Sequence, residues 1–239
     1  VKDGAVSDAT RIERFLPTVA DLSRRGARVV VLAHFGRPDG KPNAKMSLAP
    51  IAIKLGVLLG RPVAFAEDCV GEPAAAAVGA LKDGGVLVLE NTRFHAGEED
   101  NDPAFIAALA ANGDLYVNDA FSCAHRAHAS TEGLAHVLPA YAGGQMMAEI
   151  DALRRALESP KQPVTAIVGG SKVSTKIPVL TNLVGKVQHL VIGGGMANTF
   201  LHADGLEVGA SLCEPDFAAT VAGIRAAARA AGCEIVLPA

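Results

Sequence analysis

Short apolar runs rich in β-branched residues alternate with helical segments along most of this chain. Clear examples of such runs cover residues 28–33, 86–89, 115–117, 164–168 and 190–192. Glycine, proline or polar residues bound each run, as they bound buried strands, and segments with helical periodicity lie between them. Strands that alternate with helices favour a parallel sheet with right-handed crossovers, so the pattern predicts an α/β protein.

The composition excludes several classes of protein. The chain has 239 residues, of which half are hydrophobic, and a net charge of −3, which argues against a general nucleic-acid binder. Its four cysteines form no C-x-x-C pair, so we expect reduced thiols in a cytoplasmic protein. No apolar run is long enough to cross a bilayer, and we expect no membrane partner. The sequence starts at Val1 and stops just after an apparent strand, which predicts a chain cut at both ends.

Polar clusters come after three of the predicted strands. The sequence H-F-G-R-P, with Arg37, follows the strand at 28–33, Arg93 comes shortly after the strand at 86–89, and Arg126 lies in the loop after the third. The carboxyl ends of parallel strands meet at one edge of a sheet, where ligands bind. Arginine forks bind phosphate and carboxylate bidentately. We therefore expect these arginines to bind one small anion that carries both groups, and Arg11 to join them.

A second polar stretch, V-T-A-I-V-G-G-S-K-V-S-T-K-I, covers residues 164–177. Its glycines predict a sharp turn between a strand and a helix, and free N–H groups at such a turn bind anions. Lys172 and Lys176 are four residues apart, so a helix there would place both on one face, suited to a polyphosphate. No Walker A sequence is present, and a glycine turn alone is a weak signal. A second glycine turn, at 193–195, precedes another helical segment.

A strongly periodic helix at 145–159 divides the chain. We expect an acid-binding domain at 1–143, a linking helix at 144–160 and a nucleotide-binding domain at 161–239.

Two further polar groups have alternative interpretations. Asp119, in N-D-A-F, is either a metal ligand or a helix cap, and we favour the cap. The acidic run at 98–100 is interpreted as a solvated face.

Pattern alone leaves three classes of function open. An arginine-rich half and a glycine- and lysine-rich half suit a phosphotransferase with a carboxyl acceptor, in which the halves close over both substrates. A nicotinamide-dependent dehydrogenase would need G-x-G-x-x-G, and the sequence G-G-G-M-A-N at 193–198 lacks the last glycine. The third class is a binding module that holds the acid without chemistry.

Eight motifs that run in order along nearly the whole chain resemble the phosphoglycerate kinase family. They are S-D-A-T-R-I, H-F-G-R-P, S-L-A-P, E-D-C-V-G, L-E-N-T-R-F, N-D-A-F-S-C-A-H-R-A-H, V-G-G-S-K-V-S-T-K-I and I-G-G-G-M-A-N-T-F. The family transfers a phosphoryl group between 1,3-bisphosphoglycerate and ADP, giving 3-phosphoglycerate and ATP. The short acidic loop after Arg93 is similar to that of bacterial members.

The resemblance implies a role for each matching residue. The matches to the 3-phosphoglycerate site are Arg11, His34, Phe35, Gly36, Arg37, Arg93 and Arg126. The matches to the nucleotide site are Gly169, Gly170, Ser171, Lys172, Lys176, Gly194 and Gly195. Among these, Arg11 and Lys172 correspond to catalytic residues, and Lys172 meets the transferred phosphoryl group.

The resemblance also implies a fold and a setting. The fold would be two Rossmann-like domains with parallel sheets joined by a long helix, the second domain being incomplete in this chain. The protein would be a cytoplasmic monomer that uses Mg²⁺ with ATP or ADP, and the family's metal ligand has no counterpart here. Family segments that would precede Val1 and follow Ala239 are absent, so we expect residues 1–239 alone to be an inactive fragment.

Overall fold

The structure, a computed structural model, describes residues 4–158 and 160–238. It is an α/β protein with parallel sheets, as predicted, and the chain divides into two compact units, 1–151 and 152–239. The sequence V-K-D-G at 1–4 predicts a turn centred on its last two residues, and apart from Gly4 this stretch lies outside the described residues. No helix among the described residues is long and apolar enough to span a membrane.

Helices and strands alternate in the first unit. Its helices are α1 (Thr10–Arg24), α2 (Ala49–Leu59), α3 (Gly71–Ala80), α4 (Pro103–Ala110), α5 (Leu134–Val137) and α6 (Gly144–Leu157), which runs on into the second unit. Its strands are β1 (Val29–Val31), β2 (Ala64–Ala66), β3 (Val86–Leu89), β4 (Tyr116–Asn118) and β5 (Ala140–Ala142). A single π-helical turn, Ala129–Gly133, precedes α5. The sequence analysis did not predict this turn, α5 or β5.

Strand β3 is the centre of the first unit. It lies between β1 and β2, parallel to both, and all four of its residues are buried. Because side chains alternate along a strand, Val86 and Val88 pack in the hydrophobic cluster of α1 and α2, whereas Leu87 and Leu89 pack in the cluster of α3 and α4. Helices therefore cover both faces, which explains why β3 is apolar throughout.

The last two strands of the first unit are separate from this sheet. Strands β4 and β5 pair in parallel with each other, in a two-stranded sheet of their own. The parallel pairing that the sequence predicts is therefore present in this unit, divided between two sheets. The predicted polar clusters still come after strand ends, since His34 lies shortly after β1 and Arg93 shortly after β3.

Helix α6 begins where Asp119 provides a cap. Asp119 Oδ1 accepts a hydrogen bond of 2.9 Å from the N–H of Met146, in the first turn of the helix. A Cβ on Gly143 would lie 2.4 Å from the Asp119 side chain, so this close approach requires glycine. The favoured assignment of Asp119 as a cap is confirmed. The boundary between the two units falls within α6, and the exact domain boundaries stay a prediction.

The second unit has one three-stranded parallel sheet. Its strands are β6 (Thr165–Gly169), β7 (His189–Gly193) and β8 (Glu234–Val236), in the order β6-β7-β8, and its helices are α7 (Ile177–Val184), α8 (Gly195–Ala203) and α9 (Ala218–Ala231). Leu190 and Ile192 of β7 are fully buried in a cluster with residues of all three helices. Ile167 of β6 points to the opposite face and is 79% exposed. The core of this unit therefore lies on one face of its sheet.

This asymmetry predicts different effects of two truncations on neighbouring strands. Leu190→Ala should lower the free energy of unfolding by about 2–5 kcal/mol, because it leaves a cavity in a packed cluster. Ile167→Ala, the matched control, should change it by less than about 0.5 kcal/mol, because that side chain is exposed. Urea denaturation followed by circular dichroism measures both, and equal losses would contradict the assignment of the core face.

Candidate functional site

The two residues directly after β3 tie its end to neighbouring loops. The Asn91 side chain donates to the carbonyl oxygens of Phe35 (2.7 Å) and Met46 (2.9 Å), and its Oδ1 accepts from the Arg93 N–H. The Glu90 carboxylate accepts from the Ser47 hydroxyl at 2.6 Å and from the Leu48 N–H, just before α2. Both side chains are buried, so each hydrogen bond satisfies a group that water does not reach. The loop containing His34 is thereby held against the end of β3.

Arg93 is built into this scaffold. The residue is only 6% exposed; its Nη1 donates to the Gly36 carbonyl (2.9 Å), and its Nη2 lies 3.0 Å from Glu99 Oε1. Its Nε is buried without a hydrogen-bond partner among the described residues. Arg93 is therefore a fixed positive group with one unused donor, and Glu99 already neutralises part of its charge.

His34 is the most perturbed group at this edge of the sheet. Burial, aided by the positive charges of Arg93, Arg126 and His128, lowers the pKa of His34 from 6.5 to about 4, while Glu99 acts in the opposite direction. Arg93 is also joined to the loop of His34 by its hydrogen bond to the Gly36 carbonyl, and the charge of Arg126 reaches the imidazole as well. With a pKa this low, the imidazole is uncharged at neutral pH.

Arg126 lies in the loop after β4 and is half-buried. It lines a cleft of about 380 Å³ together with Asn118, His125 and Thr131. The Thr131 hydroxyl donates to the Arg126 carbonyl oxygen at 2.9 Å, which fixes the backbone of the loop.

The other two predicted arginines lie at the protein surface. Arg11 is on the first turn of α1 and Arg37 is in the loop after β1, and both are exposed. The structure thus brings His34, Arg93 and Arg126 together, whereas the described contacts do not join Arg11 or Arg37 to them. Phe35 and Gly36 take part through their carbonyl oxygens, which hold Asn91 and Arg93.

The interpretation of residues 98–100 as a solvated face is wrong for the first of them. Glu99 and Asp100 are exposed, but Glu98 is fully buried, and its two carboxylate oxygens accept from the N–H and hydroxyl of Ser130. The run of three acidic residues does not indicate the burial of Glu98, because its hydrogen-bond partner Ser130 is 32 residues away.

A second polar group consists of Asp68, Cys69 and His95, the last of which is close in sequence to Glu98. Their potential metal-ligating atoms lie within 4.8 Å of one another. Asp68 Oδ1, however, already accepts from the Cys69 N–H and lies 2.7 Å from His95 Nε2. Burial raises the pKa of the Cys69 thiol well above its ordinary value. These contacts give the group a structural role, and sequence reasoning missed it.

Glycines bring two loops of the second unit into close contact. Gly169 and Gly193 are paired at the ends of β6 and β7. Gly194 has a φ of +67°, and a Cβ there would lie 2.9 Å from the Gly170 carbonyl oxygen. A Cβ on Gly195, the first residue of α8, would lie 2.9 Å from the Ser171 carbonyl oxygen. Side chains at either position would clash with these carbonyl oxygens, so glycine is needed for the two loops to pack this closely.

The predicted helix with both lysines on one face is wrong. Helix α7 begins at Ile177, so Lys176 immediately precedes it and Lys172 is an exposed loop residue. Pro178 explains the difference, since proline is tolerated in the first turn of a helix and not in its interior. The helix start nearest to the glycines is that of α8 rather than α7.

Glu214 holds the loop between the two lysines. Its carboxylate accepts from the N–H (3.0 Å) and the hydroxyl (2.7 Å) of Ser174. The Ser174 hydroxyl, followed by its N–H, lowers the pKa of Glu214, and Lys172 adds a smaller effect. Sequence reasoning missed Glu214, since 40 residues separate it from Ser174.

The state of His34 predicts a titration and a pH dependence. In nuclear magnetic resonance spectra its ring signals should stay constant on acidification until about pH 4, and Arg126→Gln should raise the midpoint because it removes a positive charge. The unfolded chain binds the proton near pH 6.5, so folding stability should fall as the pH drops from 6.5 towards 4. A wild-type midpoint near 6.5 would contradict the burial of this ring among cations.

The comparisons with known proteins agree on one family. The sequence profile described as phosphoglycerate kinase matches residues 1–239. The chain is 66% identical over 238 residues to the phosphoglycerate kinase of Methylobacterium radiotolerans and, equally, to that of Sinorhizobium fredii, covering 100% of this chain and 60% of each relative. The chain thus spans about 60% of the length of the curated relatives that it matches.

Solved structures give the same result. The structure of phosphoglycerate kinase from Coxiella burnetii superposes with a TM-score of 0.86 at 40% identity, over 100% of this chain and 60% of that one. Phosphoglycerate kinase from Pyrococcus horikoshii gives a TM-score of 0.77 at 30% identity, over 100% and 62%. With a profile match along its whole length, the chain belongs to the phosphoglycerate kinase family.

Proposed function

We propose that the protein transfers a phosphoryl group between 1,3-bisphosphoglycerate and ADP, giving 3-phosphoglycerate and ATP in glycolysis. The observation that carries this proposal is the group formed by His34, Arg93 and Arg126 at the strand ends of a chain in this family. A buried arginine, a half-buried arginine and a neutral histidine suit a small acid with both a carboxylate and a phosphate.

The first unit is the proposed site for the acid. Arg126 is only half-buried and beside a cleft, so its guanidinium is the member of the group best placed for a bidentate contact. Neutral His34 donates or accepts a hydrogen bond without adding repulsion between cations. The exposed side chains of Arg11 and Arg37 supply charge that steers the anion and then contacts it. The backbone at Phe35 and Gly36 forms the wall of this site.

The second unit is the proposed site for the nucleotide phosphates. Glycines at 169, 170, 194 and 195 let the loops after β6 and β7 pack closely together, and α8 begins at the last of them. A helix N-terminus has a dipole that favours phosphate, although at α8 the N–H groups of Met196 and Ala197 already donate to the carbonyl oxygens of Gly170 and Gly194. Ser171 is in the same loop, and Lys172 and Lys176 lie on either side of a segment that Glu214 holds in place.

The two lysines differ in their surroundings, which suggests different roles. Lys172 is exposed and its long side chain can change rotamer, so its charge can follow the transferred phosphoryl group. Lys176 is half-buried beside α7, which suits a contact with the nucleotide that persists from binding to release. Phosphoryl transfer depends mainly on positioning and charge neutralisation, so Arg11 and Lys172 are the proposed catalytic residues.

The remaining features of the proposal rest on the family. Mg²⁺ accompanies ATP or ADP and neutralises phosphate charge. Among the described residues, the carboxylate of Glu214 lies near the glycine loops, and its oxygens already accept hydrogen bonds from Ser174. We therefore assign no metal ligand in this chain. We propose a cytoplasmic monomer whose partners are these small molecules, with no nucleic acid and no membrane.

The test of this function also separates the lysines. In a coupled assay of ATP formation, the protein in its natural length should be active, and Lys172→Ala should mainly lower kcat. Lys176→Ala should raise the KM for ADP as well, because uniform binding appears in KM. Exposed Lys186→Ala is the matched control and should leave both constants unchanged. An inactive wild type would refute the function, and the reverse pattern in the variants would refute the lysine roles alone.

The arginines should bind one anion together. Arg37→Ala, Arg93→Ala and Arg126→Ala should each weaken 3-phosphoglycerate binding by about ten- to hundredfold, since each removes a charge-assisted hydrogen bond. Isothermal titration calorimetry measures the affinity, and Arg24→Ala, which removes an exposed arginine of α1, controls for loss of charge alone. Unchanged affinity in all three would disprove the shared site.

A further inference from the structure

The buried Glu98 connects two loops of the first unit. It ends a single turn of 3-10 helix, Ala96–Glu98, and is 0% exposed. Its Oε2 accepts from the Ser130 N–H at 3.1 Å, and its Oε1 accepts from the Ser130 hydroxyl at 2.6 Å. A carboxylate removed from water is costly unless its oxygens are hydrogen-bonded, so this pair strongly favours one relative position of the two loops.

On one side, Glu98 fixes the surroundings of Arg93. The next residue, Glu99, forms the ion pair with Arg93 Nη2 at 3.0 Å. At the other end of the same turn, His95 pairs with Asp68 at 2.7 Å and stacks on Phe105. The turn is therefore anchored at both ends, and its position determines where the Arg93 fork is held.

On the other side, Ser130 belongs to the π-helical turn that fixes Arg126. The neighbouring Thr131 donates to the Arg126 carbonyl oxygen at 2.9 Å and accepts from the His128 N–H at 3.3 Å. The Tyr116 hydroxyl donates to the Ser130 carbonyl oxygen at 3.0 Å, and burial raises the pKa of Tyr116 well above its ordinary value, so it remains a donor. Ser130 is thus held through its N–H, its hydroxyl and its carbonyl.

We propose that Glu98 is a positioning residue that sets the spacing between Arg93 and Arg126. The chain of contacts runs from Arg93 through Glu99 and Glu98 to Ser130, and from there through Thr131 to Arg126. Glu98 contacts no ligand itself, and the inference rests on the acid site proposed above. An anion that contacts both guanidinium groups needs them at fixed positions. Small displacements of either group would therefore weaken its binding.

The test is an isosteric change followed by removal of its remaining partner. Glu98→Gln preserves the shape of the side chain, but its NH₂ donates, so the Ser130 hydroxyl must turn to accept and both hydrogen bonds lose the carboxylate charge. Adding Ser130→Ala leaves the buried NH₂ without its acceptor, so the double variant should bind 3-phosphoglycerate no better than Glu98→Gln. Ser23→Ala is the matched control, because its buried hydroxyl donates to the Gly84 carbonyl at the opposite end of β3.

The expected result separates positioning from stability. In the protein of natural length, Glu98→Gln should weaken 3-phosphoglycerate binding about tenfold in calorimetry and leave the KM for ADP unchanged. Ser23→Ala should lower the Tm and leave 3-phosphoglycerate affinity unchanged. If Glu98→Gln yields no folded protein, Ser130→Ala alone, which keeps the N–H bond, should weaken binding about threefold.

Three outcomes would overturn the proposal. They are unchanged affinity in the folded Glu98 or Ser130 variant, an equal loss of affinity in Ser23→Ala, and recovery of affinity in the double variant. A wild type that binds no 3-phosphoglycerate would instead refute the proposed function, and this inference with it. The two failures are distinguishable, because only the second affects the unaltered protein.

Discussion

The first unit depends on the burial of β3 and of the two polar residues directly after it. Four apolar residues pack on both faces of the sheet, and the next two, Glu90 and Asn91, are buried polar residues whose side chains hold neighbouring loops. Those hydrogen bonds satisfy groups removed from water and also connect the ends of β1 and β3. The position of His34 and of Arg93 is a consequence of this connection. The candidate site therefore depends on the hydrophobic core below it.

Sequence patterns predict those structural features that neighbouring residues determine. The strand of Val86–Leu89 and the polar cluster after it were predictable, since a continuous apolar run and its abrupt end are both visible in the residues. The cap at Asp119 was predictable as a residue type, although not its partner in α6. The start of α7 was also present in the sequence, because Pro178 permits only the first turn, and the lysine spacing was given too much weight.

Contacts between distant segments could not be predicted in the same way. Glu98 and Glu99 are neighbours of the same residue type, yet Glu98 is fully buried whereas Glu99 is exposed and pairs with the buried Arg93. The difference lies in Ser130, and nothing in either segment specifies the other. Glu214 and Ser174 in the second unit present the same difficulty. The types of residue in the candidate site were thus visible in the sequence, whereas the supports that orient them were not.

The ion pair between Arg93 and Glu99 bears on how tightly the site can hold an anion. A ligand that takes the Nη2 donor of Arg93 must displace a carboxylate that is 3.0 Å away in the free protein. Binding is then an exchange of one counter-ion for another, with less net electrostatic gain than a bare guanidinium would give. Such exchange limits affinity and speeds dissociation, because the internal carboxylate is ready to return as the ligand leaves. The internal carboxylate therefore favours an anion that binds and leaves repeatedly over one that is held permanently.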